Sequence, residues 1–203
     1  MINTLVFDFG NVFINLDIDG AMQNALEVLN LSEFPEDMVA INSIYEQGLI
    51  TTNEFLEFYS ENFPEIEKNK MIDTWNFMLK DFPEHRLDFL KSLKKQSDFK
   101  LILLSNTNEL HINWVKKHVH FYEVFKNCFD AFYLSHEIKL RKPNTDIFEF
   151  VLSNNNIKAR ETLFIDDNLD NINSAKTLNY NVWHINPKTE EVITLFKTNK
   201  NLF

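Results

Sequence analysis

The stretch TLVFDFGNVF, residues 4 to 13, decides how this chain is read. Its first four residues, Thr4 to Phe7, suit a strand buried on both faces. Asp8 then arrives where that strand should stop. Gly10 and Asn11 follow two and three places later. A core strand that delivers a carboxylate to its own end raises the question of whether other strands do the same.

Five short apolar runs read as strands: residues 4–9, 100–105, 131–134, 163–166 and 181–185. Helical patterns separate the last four, which is a β-α-β rhythm. Continuous apolar runs such as 101–104 and 163–165 fit a parallel sheet covered on both faces. With strand one central and strands two and four on its flanks, the expected order is 5-4-1-2-3. The fold class is therefore α/β: a Rossmann-like parallel sheet of five main strands flanked by helices.

The first gap is different. Between Phe13 and about Phe99 the sequence carries amphipathic patterns over 22–29, 37–47, 52–63 and 66–79, with no strand pattern. Phe55, Phe58 and Tyr59 recur at three and four, as do Trp75, Met78 and Leu79; such aromatics fill the core of a bundle. Thr52 with Asn53 is placed to cap the third helix. A helical-bundle cap inserted after the first strand divides the chain into a core domain, 1–15 and 88–203, and a cap domain, 16–87. The tail, 188–203, reads as a last amphipathic helix.

Three strands end in polar residues of one kind. Strand one ends in Asp8, strand two in Ser105-Asn106-Thr107-Asn108, strand four in Asp166-Asp167-Asn168. Alone, Asp8 would serve as a turn cap and Ser105 to Asn108 as a helix N-cap cluster. Together, at the carboxyl ends of parallel strands, they converge where such sheets bind ligands. Two adjacent carboxylates at a strand mouth repel and call for a cation. Lys142, fixed just before Pro143 and a helix expected to be capped by Asn144, supplies one positive charge. Phosphoryl transfer fits this set. Mg²⁺ takes oxygen ligands, here Asp8 and Asp167, with Asp166 direct or through a water. Asp8 is then the nucleophile that forms an aspartyl-phosphate. Ser105, the amides of Asn106 and Thr107, Lys142 and the helix after Asn108 hold the phosphoryl oxygens, so Asn106, Thr107, Asn108 and Lys142 are the expected substrate-binding residues.

Composition narrows the remaining classes. A net charge of −10 argues against nucleic acid as a partner. No apolar run approaches the roughly 18 residues of a membrane span. One cysteine, Cys128, and no basic-then-apolar leader point to a cytoplasmic protein. Three glycines, Gly10, Gly20 and Gly48, cannot write a GxGxxG turn or a phosphate loop, and the tripeptide DFG at 8–10 lacks every other kinase element. The six histidines show no metal-ligand pattern. Oligomeric state is not readable.

The motifs VFDFGNV, LLSNT, the lysine of RKP, and FIDDNLDN resemble in order and spacing the four motifs of the haloacid dehalogenase-like (HAD) hydrolases, over about 3–14 and 97–187. The insertion resembles that family's C1-type cap. Within it, YEQGLITTNEFL and TWNFML are similar to cap segments of the branch that holds bacterial sugar-phosphate phosphatases, such as alpha-glucose-1-phosphate phosphatase, and the N-terminal domains of epoxide hydrolases. The resemblance implies a phosphomonoester hydrolase with Asp8 as nucleophile and metal ligand, the Gly10 carbonyl and Asp167 as further ligands, Asp166 direct or outer, Asn171 near the metal waters, and Ser105 and Lys142 on the phosphoryl group. The implied substrate is a small phosphorylated metabolite, a sugar phosphate first. One departure stands out. Most of the family's phosphatases carry a second Asp two places after the nucleophile, as general acid and base; here that place is Gly10, a form that also occurs in the branch just named. The rival readings are a 2-haloacid dehalogenase, which needs no acidic doublet, a phosphomutase, and a non-catalytic phosphate-binding scaffold.

Overall fold

The computed structural model describes residues 1–96 and 98–203. A five-stranded sheet runs in the order β3-β2-β1-β4-β5, as expected. It is built from β1 (Thr4–Phe7), β2 (Lys100–Ser105), β3 (Ala131–Leu134), β4 (Thr162–Asp166) and β5 (Asn181–His184). Every neighbouring pair is parallel. Side chains alternate across each strand. Leu5, Phe7, Leu101, Leu103, Leu163 and Ile165 enter one hydrophobic cluster. Val6, Ile102, Leu104 and Phe164 enter another on the opposite face. This explains the unbroken apolar runs: both faces are covered.

Between β1 and β2 come α1 (Ile18–Leu29), α2 (Glu36–Glu46), α3 (Thr52–Asn62), α4 (Lys68–Asn76) and α5 (Glu84–Gln96). The first four have a hydrophobic centre of their own, including Met38, Tyr45, Phe55, Tyr59 and Met71. Tyr45 and Phe55 stack there with centroids 4.1 Å apart. The helix starts differ from the sequence expectation in two places. Thr51, not Thr52, caps α3: its hydroxyl accepts from the Glu54 N–H while the Glu54 carboxylate accepts from the Thr51 N–H at 2.7 Å, a capping box. α4 is shorter than its apolar pattern, because Pro64 and the turn after it delay the start and Met78 and Leu79 leave the helix to meet the core.

The second half alternates with the strands. It contains α6 (Glu109–His118), α7 (Tyr122–Lys126), α8 (Ser135–Ile138), α9 (Thr145–Asn155), α10 (Leu169–Thr177) and α11 (Leu195–Thr198). Asn144 occupies the cap position of α9, but its side chain makes no capping bond. The expected long C-terminal helix is only a 3-10 turn, Val192–Thr194, leading into the four-residue α11. Thr194 and Asn199 turn their side chains onto the carbonyls of Glu191 and Leu195, and such bonds compete with helix propagation. α6 joins the two parts of the molecule, since its Leu110 packs into the α1–α4 centre while Ile112 and Val115 pack against the sheet.

Candidate active site

Parallel register brings the charges together. Phe7 pairs with Ile165, and the Asp8 N–H donates to the Ile165 carbonyl at 2.9 Å. The next residues of the two strands, Asp8 and Asp166, therefore emerge side by side at the same sheet end. Asp167 follows at once. One carboxylate oxygen from each of the three lies within 4.8 Å of the others.

Lys142 closes this group from the loop between α8 and α9. Its side chain is 1% exposed, and its ammonium donates to Asp8 Oδ1 at 2.8 Å and to Asp166 Oδ2 at 2.6 Å. Asp166 is fully buried. Its Oδ1 accepts from the Asn168 N–H at 2.8 Å, and the Asn171 carboxamide donates to both of its oxygens at 3.1 and 3.0 Å. Asn168 in turn caps α10, so the helix start and the carboxylate hold each other. Asp167 is freer; its Oδ2 accepts from Asn11 Nδ2 at 2.8 Å.

The electrostatics are unbalanced. Three carboxylates face one ammonium, a net charge of −2 if all are ionised. Burial pushes the Asp8 carboxyl up to about 7, against the pull of Lys142, and Asp166 and Asp167 add to the push. Burial likewise raises Asp167, opposed by the Asn11 bond. Burial works against the Lys142 ammonium, but Asp166 and Asp8 outweigh it and hold its pKa above the ordinary lysine value. Clustered hard oxygen donors that outnumber the one ammonium beside them are the donor set that a small divalent cation such as Mg²⁺ takes.

The turn after β1 shapes the rest. Asn11 adopts a left-handed conformation, φ 55°, and its Oδ1 accepts from the Leu16 N–H at 3.0 Å. That bond folds Leu16 back over Gly10. A Cβ on Gly10 would lie 2.6 Å from Leu16 Cδ1 and 4.0 Å from Asp8 Oδ2.

The loop after β2 departs from expectation. Ser105 is buried at the strand end, its hydroxyl 3.4 Å from the Asn106 carbonyl. The Asn106 side chain binds Lys142: it donates to the Lys142 carbonyl at 2.8 Å and accepts from the Lys142 N–H at 2.9 Å. The Thr107 amide, expected to face phosphate, donates instead to Ser135 Oγ at 2.9 Å. The Asn108 side chain, expected on the substrate, is fully buried; it caps α6 through the His111 N–H and bonds the His111 ring at 3.1 Å. A cap must satisfy the helix it opens, and no oxygen is left over.

Sequence reasoning missed the groups that tie α1–α4 to this end of the sheet. Ser135 Oγ donates to the Glu46 carbonyl at 2.6 Å, and Arg141 pairs with Glu46 Oε2 at 3.0 Å. The Leu110 N–H donates to Tyr45 Oη at 3.3 Å, and His111 Nε2 meets the Trp75 carbonyl at 3.1 Å with the two rings stacked. The only signal was position: Arg141 adjoins Lys142, and His111 lies three residues after Asn108. Between α1–α4 and α6 is a cavity of about 180 Å³ with Ile18, Asn42, Glu46, Trp75, Met78 and His111 in its wall.

A model of the haloacid dehalogenase-like hydrolases matches residues 2–179. The chain belongs to that family. This hydrolase is 28% identical over 188 residues to the D-ribitol-5-phosphate phosphatase of Bacteroides thetaiotaomicron, covering 89% of this chain and 90% of that protein. It is similar to the structure of a HAD family enzyme from the same organism in its magnesium complex, with 33% identity, a TM-score of 0.85 and coverage of 97% of this chain and 98% of that one. A complex of the wild-type enzyme with magnesium and inorganic phosphate gives 31% identity, coverage of 97% and 100%, and a TM-score of 0.81. A predicted HAD-like family hydrolase from Porphyromonas gingivalis gives 26% identity, coverage of 98% and 97%, and a TM-score of 0.84. Among the described residues of the hydrolase, no helix is long and apolar enough to cross a membrane.

Proposed function

We propose that this hydrolase is a magnesium-dependent phosphatase that cleaves a small phosphorylated metabolite, a sugar phosphate first, through an aspartyl-phosphate on Asp8. The observation that carries this is the clustering of Asp8, Asp166 and Asp167 oxygens within 4.8 Å, with Lys142 bonded to the first two. The magnesium and phosphate complexes of the similar enzyme and the sugar-alcohol phosphatase relative support it.

The Asp8 and Asp167 carboxylates and the Gly10 carbonyl would hold Mg²⁺, with Asp166 behind them. The ion supplies positive charge between a carboxylate and a phosphate that would otherwise repel. Asp166 has both oxygens engaged by Lys142, Asn168 and Asn171, which suits it to orienting its neighbours. Asp8 attacks phosphorus with the oxygen that Lys142 leaves free. Lys142, with the Ser105 hydroxyl and the Asn106 amide, neutralises the phosphoryl oxygens as the leaving group departs. Water then cleaves the aspartyl-phosphate and returns Asp8 as carboxylate.

The division into a core, 1–15 and 88–203, and a cap, 16–87, belongs to the same reading. In this reading the α1–α4 bundle, tied to the sheet's end through the Ser135–Glu46 and Leu110–Tyr45 bonds, serves to exclude water from the intermediate. A cytoplasmic setting is part of the proposal, in keeping with the single free Cys128.

The test is hydrolysis of p-nitrophenyl phosphate with and without Mg²⁺, by wild type and Asp8→Asn. Metal-dependent turnover that Asp8→Asn abolishes is expected. Tight phosphate binding without turnover on a broad panel of esters would establish a scaffold instead.

A further inference from the structure

Helix α2 ends on Glu46, and both polar ends of that residue are taken by side chains of the sheet part of the molecule. A helix leaves its last carbonyls without partners in its own ladder. Here the carbonyls of Ser43, Ile44 and Tyr45 accept from the N–H groups of Gln47, Leu49 and Gly48, at 3.1, 3.0 and 2.9 Å. The Glu46 carbonyl accepts instead from the Ser135 hydroxyl at 2.6 Å. The Glu46 carboxylate accepts from Arg141, which donates to Oε2 at 3.0 Å and, with its other terminal nitrogen, to Ser43 Oγ at 3.2 Å.

Both partners lead to Lys142. Ser135 is fully buried, and its Oγ accepts from the Thr107 N–H at 2.9 Å. The hydroxyl has a single proton to give. Of the two carbonyls in reach, Glu46 at 2.6 Å is nearer than Thr107 at 2.9 Å. Thr107 follows Asn106, whose carboxamide makes both bonds to the Lys142 peptide. Arg141 directly precedes Lys142. The bonds therefore close a ring: the Glu46 carbonyl, Ser135, the segment Thr107–Asn106, the segment Lys142–Arg141, and back to the Glu46 carboxylate. Glu46 is the member of this ring that comes from α1–α4.

We infer that Glu46 is a positioning residue for the Lys142 ammonium, through which the seating of α1–α4 sets the charge that meets the phosphoryl group. The inference rests on the phosphatase reading of the same site and adds to it a residue outside the aspartate cluster. With the ring closed, the Asn106–Lys142 pair is held from both sides. With it cut at Glu46, the two segments keep only their own two bonds to each other from that ring, and the ammonium is free to drift from Asp8 and Asp166. A misplacement of about 1 Å at a reacting centre can cost about 10²-fold in rate. Glu46 also stands in the wall of the cavity between α1–α4 and α6, so a group lodged there touches the residue at which the ring closes.

The experiment measures kcat and KM separately on p-nitrophenyl phosphate with saturating Mg²⁺, for wild type, Glu46→Ala, Glu46→Gln and Arg141→Met, beside melting curves. Loss of an interaction made only in the transition state lowers kcat and leaves KM in place. Glu46→Ala and Arg141→Met are expected to lower kcat about 10-fold, with KM within about 3-fold of wild type. Glu46→Gln keeps an acceptor for Arg141 and should recover about 3-fold or more of the lost kcat. Arg141→Met cuts the same link from the other side, and decides the matter if Glu46→Ala does not fold. A raised KM with kcat unchanged would make Glu46 only a wall of the cavity. A lowered melting temperature with both constants unchanged would make it only an attachment of α1–α4. Either result would overturn this inference and leave the phosphatase reading standing. A wild type without turnover would remove that reading itself.

Discussion

The Asn106 carboxamide and the Lys142 peptide form a closed pair, each donating to the other, at 2.8 and 2.9 Å. The two residues end different strand–loop segments, 36 positions apart, and the pair fixes the backbone from which the buried ammonium reaches Asp8 and Asp166. An amide is the side chain that can serve a peptide both ways, since it carries a donor and an acceptor in one plane. Asn106→Ala should lower kcat/KM by about 10-fold or more, the equivalent of one or two hydrogen bonds of ~0.5–1.5 kcal/mol each. Asn106→Asp keeps the acceptor and loses the donor, and should fall between. Steady-state kinetics on p-nitrophenyl phosphate, beside melting curves, separate this from loss of fold.

Lys142 lies between carboxylates where water does not reach. Removing one partner of a buried ion pair costs about 3–5 kcal/mol, because the opposite charge is left without compensation. Lys142→Met should therefore lower the melting temperature and reduce kcat/KM at least 10-fold. Mg²⁺, by binding the exposed excess of negative charge, should restore part of the thermal stability but not the activity. An unchanged melting temperature would place the ammonium in solvent.

Asp167 accepts from Asn11 and is the most accessible of the three aspartates. Asp167→Ala should raise the Mg²⁺ concentration for half-maximal activity by at least 10-fold, as expected when a carboxylate ligand is lost. Chelation by EDTA should abolish wild-type turnover, and added Mg²⁺ should restore it. A titration with the same midpoint in both proteins would reassign the ligand.

Gly48 ends the turn after α2 at φ 65°, and a Cβ there would lie 1.9 Å from the His136 carbonyl oxygen. The positive φ alone costs a non-glycine residue about 1–2 kcal/mol, and the clash is with backbone that cannot swing away. Gly48→Ala should destabilise the protein by at least ~2 kcal/mol in urea unfolding. It should also loosen the contact between α2 and α8 that carries the Ser135–Glu46 bond.

His111 gives a pH signature in stability. Burial lowers its pKa from 6.5 to about 4 in the folded chain. Between those values the unfolded chain binds the proton and the folded chain does not, so stability rises with pH across the window. The contribution is complete above pH 6.5, is lost as pH falls toward about 4, and amounts to roughly 3 kcal/mol at ~1.4 kcal/mol per unit. His111→Gln should remove that part of the slope. Urea midpoints of both proteins from pH 4.5 to 7 provide the comparison.

Much of this molecule was legible in one dimension. The apolar runs of 101–104 and 163–165 announce strands covered on both faces, and a carboxylate at the end of such a run, repeated as Asp8 and Asp166, marks the ligand end of a parallel sheet. Composition bounded the reading as well, since three glycines cannot write a GxGxxG turn or a phosphate loop. Polar loops were less legible. Asn106, Thr107 and Asn108 carry similar hydrogen-bonding groups, and only the fold decides that one clamps Lys142, one meets Ser135 and one caps α6. The same holds for Leu16, an ordinary apolar residue until the Asn11 turn lays it over Gly10. Strand position follows from local patterns that repeat over several residues. The partner of a single polar side chain depends on which distant backbone arrives within 3 Å of it, and that is settled only when the chain has closed on itself.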